Sequence, residues 1–287
     1  TFWPASYSII GTVNSAIEGA ELLNDSNNRN VLIAEARFIR AFTYFTLVRL
    51  FGDIPYIGEA IKDPESVKTI SKTSADKVYA HIIADLEFAK ENLPMEHPQN
   101  ARSRASKGSA YSMLADVHLT LGNWQEAYNH AKWVIDHAAG LGYALEPDYQ
   151  DLFDATKQEG MAEHIYAIEF KGLEGSWPYN MDYHAAFTGM SGSDEVAGWD
   201  VSVPSLAVYT TWDARDYRRE VALADSAHFG GVLKPYTDFT IKRSHIAKYW
   251  RYKGNGTETD TDINYAVYRY AEVLLTAAEA LNEVSGP

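Results

Sequence analysis

Residues 34–55 read Ala-Glu-Ala-Arg-Phe-Ile-Arg-Ala-Phe-Thr-Tyr-Phe-Thr-Leu-Val-Arg-Leu-Phe-Gly-Asp-Ile-Pro, and their spacing decides the fold class. Ala34, Phe38, Ala41, Phe42, Phe45 and Val48 fall along one helical stripe, within a helix read as Val31 to Phe51. Leu47, Leu50 and Phe51 widen that stripe, so burial of more than one face is expected. Arg37, Arg40 and Arg49 interrupt the apolar pattern. Gly52, Asp53, Ile54 and Pro55 then stop the helix, with Gly just past its end and Pro beyond.

Helical spacing continues on both sides. Upstream, Ile10, Val13, Ile17 and Ala20 mark a helix over about 7–23, followed by a polar, turn-like run over 24–30. Downstream, Ser74 is a candidate N-cap for a helix carrying Tyr79, Ile82, Ile83, Leu86, Ala89 and Leu93, which Pro94 ends. Two further helices, about 103–121 and 124–138, flank Gly122-Asn123. With small Ala residues where they would cross, this pair looks like a tetratricopeptide unit, and 31–51 with 75–93 form a second candidate pair. From Gly140 to about Asn264 the helical signal fades. Short strands are expected at 165–170 and 248–252, and a last helix at about 266–283, with Val267, Ala271, Leu274, Ala278 and Leu281 inward and Ala277 and Ala280 allowing close contact. The fold expected is therefore mainly α, with tetratricopeptide-like helical pairs, a loop-rich irregular face and a few short strands. It is read as one domain over 1–287: a helical layer at 1–139, a loop-rich ligand-facing region at 140–265, and a late helix at 266–284 packing on the helical layer.

Composition narrows the function. The net charge of -14 over 287 residues repels phosphate backbones and anionic membranes and leaves a neutral ligand nearly unaffected. Without cysteine, disulfides, zinc fingers and thiol catalysis drop out. No apolar run reaches the roughly 18 residues of a transmembrane helix. Thr1-Phe2-Trp3-Pro4 is neither an initiator Met nor a signal peptide, and both ends read as cut. Catalytic motifs fail: there is no His-Glu-x-x-His, no phosphate-binding glycine loop with Lys, and Gly189 to Ser193 is not a nucleophile elbow. His118 reads as a core or interface residue. Asp260-Thr261-Asp262-Ile263-Asn264 lacks the Gly and terminal Glu of an EF-hand and reads as a solvated loop. No catalytic residue, cofactor or metal is expected.

The 173–212 stretch carries Trp177, Tyr179, Tyr183, Phe187, Trp199, Tyr209 and Trp212 among Gly, Ser, Asn and Asp. Such rings either anchor a loop or stack against the apolar faces of sugars while nearby amides and carboxylates bond hydroxyls. The candidate ligand-binding residues are Trp177, Tyr179, Tyr183 and Trp199.

The 34–55 segment closely resembles the hallmark helix of SusD/RagB proteins. Trp3 with Tyr7, Ile10 and Asn14, then Ile82 to Pro94, Ala105 to Ile135 with Leu121-Gly122-Asn123-Trp124, and Tyr268 to Ala280 resemble further family segments in order. The resemblance implies a lipid-anchored protein on the outer-membrane surface of a Bacteroidetes-type bacterium. It implies a hinged lid over a SusC/RagA-like TonB-dependent transporter that binds an oligosaccharide or peptide without cleaving it. Full-length members carry a signal peptide, a lipidated Cys and an N-terminal segment, all absent here, and continue past the late helix. Glu35, Arg37, Arg40, Gly52 and Asp53 look structural. The competing readings are a helical glycoside hydrolase, with two facing carboxylates in a cleft, and a tetratricopeptide adaptor that binds protein only.

Overall fold

A computed structural model describes residues 2–172 and 182–286. The hallmark stretch is a helix, Ser26–Phe51 (α2), preceded by Phe2–Glu21 (α1). α2 starts earlier than its apolar pattern because Asp25 caps it, its carboxylate accepting the N–H groups of Asn27 and Asn28 at 3.0 and 3.2 Å. Ala34, Phe38, Ala41, Phe45, Leu47 and Val48 are buried, with Tyr44 beside them. Leu50 and Phe51 are exposed, against expectation. They sit in the last turn, and the Phe51 ring meets Trp3 edge-on at 4.9 Å.

Gly52 ends α2 at φ 69°, a left-handed value open to glycine at little cost, and donates its N–H to Val48 O. The chain runs into a two-residue strand, Ile54–Pro55 (β1), paired antiparallel with Lys72–Thr73 (β2), and then into Ala75–Asn92 (α3). The cap of α3 differs from the sequence expectation. Ser74 makes no side-chain cap bond; the Asp53 carboxylate accepts the Ala75 N–H at 3.0 Å. One hallmark residue thus closes the exit of α2 onto the entry of α3.

Arg40 explains why a charge interrupts the apolar stripe. Its guanidinium bonds both oxygens of Asp85 on α3 at 2.7 Å, and Nη1 donates to Asn14 Oδ1 and Gly58 O at 2.8 Å. Asn14 donates to Ile57 O and Glu59 O, Tyr7 to Pro55 O, and Tyr44 accepts the Ile57 N–H. Glu35 pairs with Arg104 at 2.6 Å, and Arg37 lies over the Phe88 ring at 4.2 Å. The polar hallmark residues therefore clasp the 54–59 segment and knit α1, α2 and α3 together.

Lys107–Thr120 (α4) begins later than expected, at a reciprocal Ser106–Ser109 capping box. Trp124–Asp136 (α5) follows, with Ala127, Ala131 and Val134 fully buried, and then Ala138–Leu141 (α6). His164–Ile168 (β3) is the expected first strand. Short elements follow: His184–Thr188 (α7), Leu206–Thr211 (α8), Tyr217–Ala222 (α9), Leu223–Ala224 (β4), Ser226–Phe229 (β5), Val232–Pro235 (β6), His245–Ile246 (β7), Tyr265–Arg269 (β8) and Tyr270–Ser285 (α10). Among the described residues the sheets are two-stranded, pairing β1 with β2, β3 with β8, β4 with β7 and β5 with β6. Residues 248–252 form a turn, not the expected strand, with Tyr252 in a single bridge to Asp154. The last helix begins at Tyr270, because 265–269 is strand. Its buried face is Val273, Thr276, Ala277 and Ala280. It is rotated from the expected face because the small residues turn toward neighbouring α5, leaving Leu275 and Leu281 exposed.

The chain forms two compact units. The first comprises Thr1–Ala144, Ala162–Tyr166 and Tyr268–Pro287; the second comprises Leu145–Met161 and Ala167–Val267. The first is the helical layer, with successive packing of α1 on α2, α2 on α3, α3 on α4, α4 on α5 and α5 on α10. That order is a stacked solenoid, in which each helix buries its apolar stripe against its neighbours.

Buried histidines make this unit acid-sensitive. Burial, with Arg269 and Arg102 nearby, pushes His164 down to about 4, and burial with Lys90 and His118 does the same to His130. The unfolded chain takes up these protons near pH 6.5, whereas the folded chain resists until about pH 4. Stability therefore falls as pH drops through that window, by about 3 kcal/mol at pH 4 for His164. Thermal melts at pH 7, 5.5 and 4 should show a falling midpoint, and His164→Phe should flatten part of the slope. An unchanged slope in that variant would contradict the assignment.

Candidate functional site

In the second unit, α7 places Tyr183 and Phe187 one turn apart on one face, while Ala185, Ala186 and Thr188 point inward. Their rings stack at 5.8 Å and 21°. Trp199 closes a triangle, 5.8 Å from Tyr183 and 5.7 Å from Phe187, tilted to both by more than 50°. Phe187 is 41% and Trp199 47% exposed. Three large rings thus support one another and still present apolar surface to solvent.

The frame beneath is fixed by the backbone. Trp199 N–H donates to Ala186 O at 2.7 Å, Gly198 N–H to Met190 O at 3.2 Å, and Val201 and Ser202 both donate to Phe187 O. Gly198 is pressed against Gly189 so closely that a Cβ there would lie 2.0 Å from the Gly189 carbonyl carbon. No other residue type fits this approach. Tyr183 and Asp200 hold φ of 55° and 54°, left-handed values unusual for side chains of their kind. Below the frame, Ala185, Met190, Val196, Phe239, Ala247 and Trp250 form a buried cluster.

Polar groups lock the rim. The Asp200 carboxylate accepts the Ser191 N–H at 3.0 Å and lies 2.9 Å from His245 Nε2; the other nitrogen of that fully buried ring lies 3.0 Å from Arg243 O. Burial raises the Asp182 carboxyl, while hydrogen bonds from the Thr261 hydroxyl and the His184 N–H oppose the shift. Burial lowers His184, whose ring stacks on Tyr249 and Tyr265 at 5.1 and 5.2 Å. The carboxylates beside the rings are thus engaged in holding loops. Such a surface can stack against a planar or ring-shaped ligand face.

Residues 1–119 match the family described as starch-binding associating with outer membrane, and residues 201–287 match the SusD family. A SusD-like protein of Formosa agariphila is 49% identical over 299 residues, covering 99% of this chain and 58% of its own length. The chain belongs to the SusD/RagB family. Two solved structures share the fold: a laminarin-binding SusD-like protein and a structure determined with a xylogluco-oligosaccharide. Both are 23% identical to this chain and cover 98% of it, with TM-scores of 0.82 and 0.79, across 66% and 60% of their own chains. This SusD/RagB chain thus spans under two thirds of the length of such relatives.

Of the four ring residues singled out in the sequence, Tyr183 and Trp199 meet in the triangle, and Trp177 and Tyr179 lie outside the described residues. Phe187 completes the triangle; its signal was the four-residue spacing from Tyr183. Tyr209 and Trp212 belong elsewhere, Tyr209 against Tyr236 and the Trp212 N–H on Asp216. Asp260 to Asn264 is not a solvated loop in the SusD/RagB chain: Thr261, Ile263 and Asn264 are buried. Asp262 accepts the N–H groups of Gly172 and Asn255, so the carboxylates there tie loops together.

Proposed function

We propose that this chain binds oligosaccharide at the cell surface through the Tyr183–Phe187–Trp199 platform and does not cleave it. The carrying observation is the ring triangle, exposed yet fixed by a hydrogen-bonded frame. A preorganised apolar face loses little entropy on binding and suits the C–H faces of pyranose rings. The net charge of -14 favours a neutral ligand over an anionic one. The names of the relatives support a glycan over a peptide. We extend the reading to Trp177 and Tyr179 as further contacts, and to a lipid-anchored protein on the outer membrane, facing outward, that delivers its ligand to a SusC/RagA-like TonB-dependent transporter. Engagement of Asp182 and Asp200 in structural hydrogen bonds argues against the hydrolase reading, which needs two carboxylates aimed at a glycosidic bond.

Isothermal titration with maltoheptaose, laminarihexaose and a xyloglucan heptasaccharide tests the platform. Trp199→Ala should weaken the best ligand roughly tenfold, about 1.4 kcal/mol, with an unchanged melting temperature. Equal affinity in the variant would remove Trp199 from the site, and sugar release during incubation would favour the hydrolase. Copurification of a transporter with the full-length protein tests the delivery role.

A further inference from the structure

The second unit carries another concavity, of about 650 Å³, that shares no residue with the ring platform. It falls within the roughly 300–1,000 Å³ range of small-molecule sites. One wall is α9 with the start of β4, another is α8, and Gln150, Ala214, Asp225, Arg251 and Tyr252 complete the lining. Its construction is rigid. Arg251 caps the end of α9, Nη1 donating to Glu220 O at 2.8 Å and Nη2 to Leu223 O at 3.3 Å. The Tyr209 hydroxyl donates to Asp225 Oδ2 at 2.9 Å, and the Arg219 guanidinium lies 4.1 Å over the Tyr209 ring while its Nε donates to Tyr209 O.

Arg219, which also lines the cavity, is held by its Nε bond to Tyr209 O and by a side-chain hydrogen bond to Tyr209. Tyr217, tethered through its hydroxyl to Asp148 at 3.1 Å, is 49% exposed, and Tyr252 is 46% exposed. Two arginines face two carboxylates, Glu220 and Asp225, so the lining has no net charge. A forked donor, fixed acceptors and exposed tyrosines in a neutral lining match the vicinal hydroxyls and apolar faces of an uncharged sugar. A polyanion would meet Glu220 and Asp225 with no surplus of positive charge.

We propose that this cavity is a second saccharide subsite, holding a short neutral stretch of glycan between Arg219, Tyr217 and Tyr252. The proposal rests on the oligosaccharide-binding reading of the chain but not on the ring platform. The test is titration of maltoheptaose, laminarihexaose, xyloglucan heptasaccharide and trigalacturonate into the wild type and into Trp199→Ala, Tyr217→Ala, Arg219→Gln and Trp199→Ala/Tyr217→Ala. Tyr217→Ala is included because Arg219→Gln also disturbs the contact with Tyr209. Residual binding of a neutral probe should persist in Trp199→Ala and fall at least roughly fivefold when Tyr217 is also removed. Tyr217→Ala or Arg219→Gln alone should weaken binding in the wild-type background. Neutral-probe isotherms unmoved by either cavity variant overturn the subsite, whatever Trp199→Ala does. So does binding of trigalacturonate alone, or of no probe to the wild type. A platform failure reads differently: Trp199→Ala is silent while the cavity variants weaken binding.

Discussion

Replacing Asp85 with alanine should lower stability by about 3–5 kcal/mol, the usual cost of stripping one partner from a buried ion pair. Arg40 and Asp85 are both almost fully buried, and Asp85 takes two of the four hydrogen bonds that the Arg40 guanidinium makes. Its loss leaves a charge facing α3 with no counterion and loosens the grip of Arg40 on Asn14 and Gly58. The 54–59 segment then rests on the side-chain bonds of Tyr7, Asn14 and Tyr44. Chemical denaturation should show the shift as a lower midpoint. Removing both partners, as Arg40→Met/Asp85→Leu, should recover much of the loss, because two apolar side chains carry no desolvation penalty. A double variant no more stable than Asp85→Ala would mean that the pair does more than balance its own charges.

The second large effect is expected at Gly198. An alanine there puts its methyl 2.0 Å from the Gly189 carbonyl carbon and 2.1 Å from its oxygen, backbone atoms that cannot swing aside. The two strands of chain must separate by an ångström or more. That separation breaks the Gly198-to-Met190 and Trp199-to-Ala186 hydrogen bonds and carries the indole out of the triangle. Glycan affinity should fall at least as far as in Trp199→Ala, roughly tenfold or more. Hydrogen exchange should quicken at 186–202 and stay unchanged in α2 and α3. Wild-type affinity in Gly198→Ala would show that the ring geometry is not what binds.

The helical layer was legible in the sequence because its order is local. A stripe repeating every three or four residues, a Gly at a helix exit and a Pro after a helix end report on neighbours in the chain, and Phe38, Phe45 and Val48 are buried where the spacing put them. The misreadings fall where a distant partner decides. Ser74 had the right chemistry for a cap, but Asp53, more than 20 residues away, holds the Ala75 N–H. Arg40 looked like a break in the stripe until Asp85 accounted for it. The buried face of α10 is set by what α5 leaves room for, not by the largest side chains. In the second unit little is periodic. The rings at 183, 187 and 199 were visible as composition, but their convergence depends on Gly198 approaching Gly189, which no spacing announces. The lining at 150, 209–225 and 251–252 is assembled from three separated stretches and was not readable at all.

The exposed rings of Phe187 and Trp199, with the half-buried ring of Tyr183 against them, are expected to receive the ligand. A crystal structure with the tightest-binding neutral oligosaccharide tests this most directly. A sugar ring should lie flat over Trp199 or the Tyr183–Phe187 pair, carbon to carbon at about 4 Å. A fully ordered sugar bound elsewhere, with all three rings still open to solvent, would contradict it.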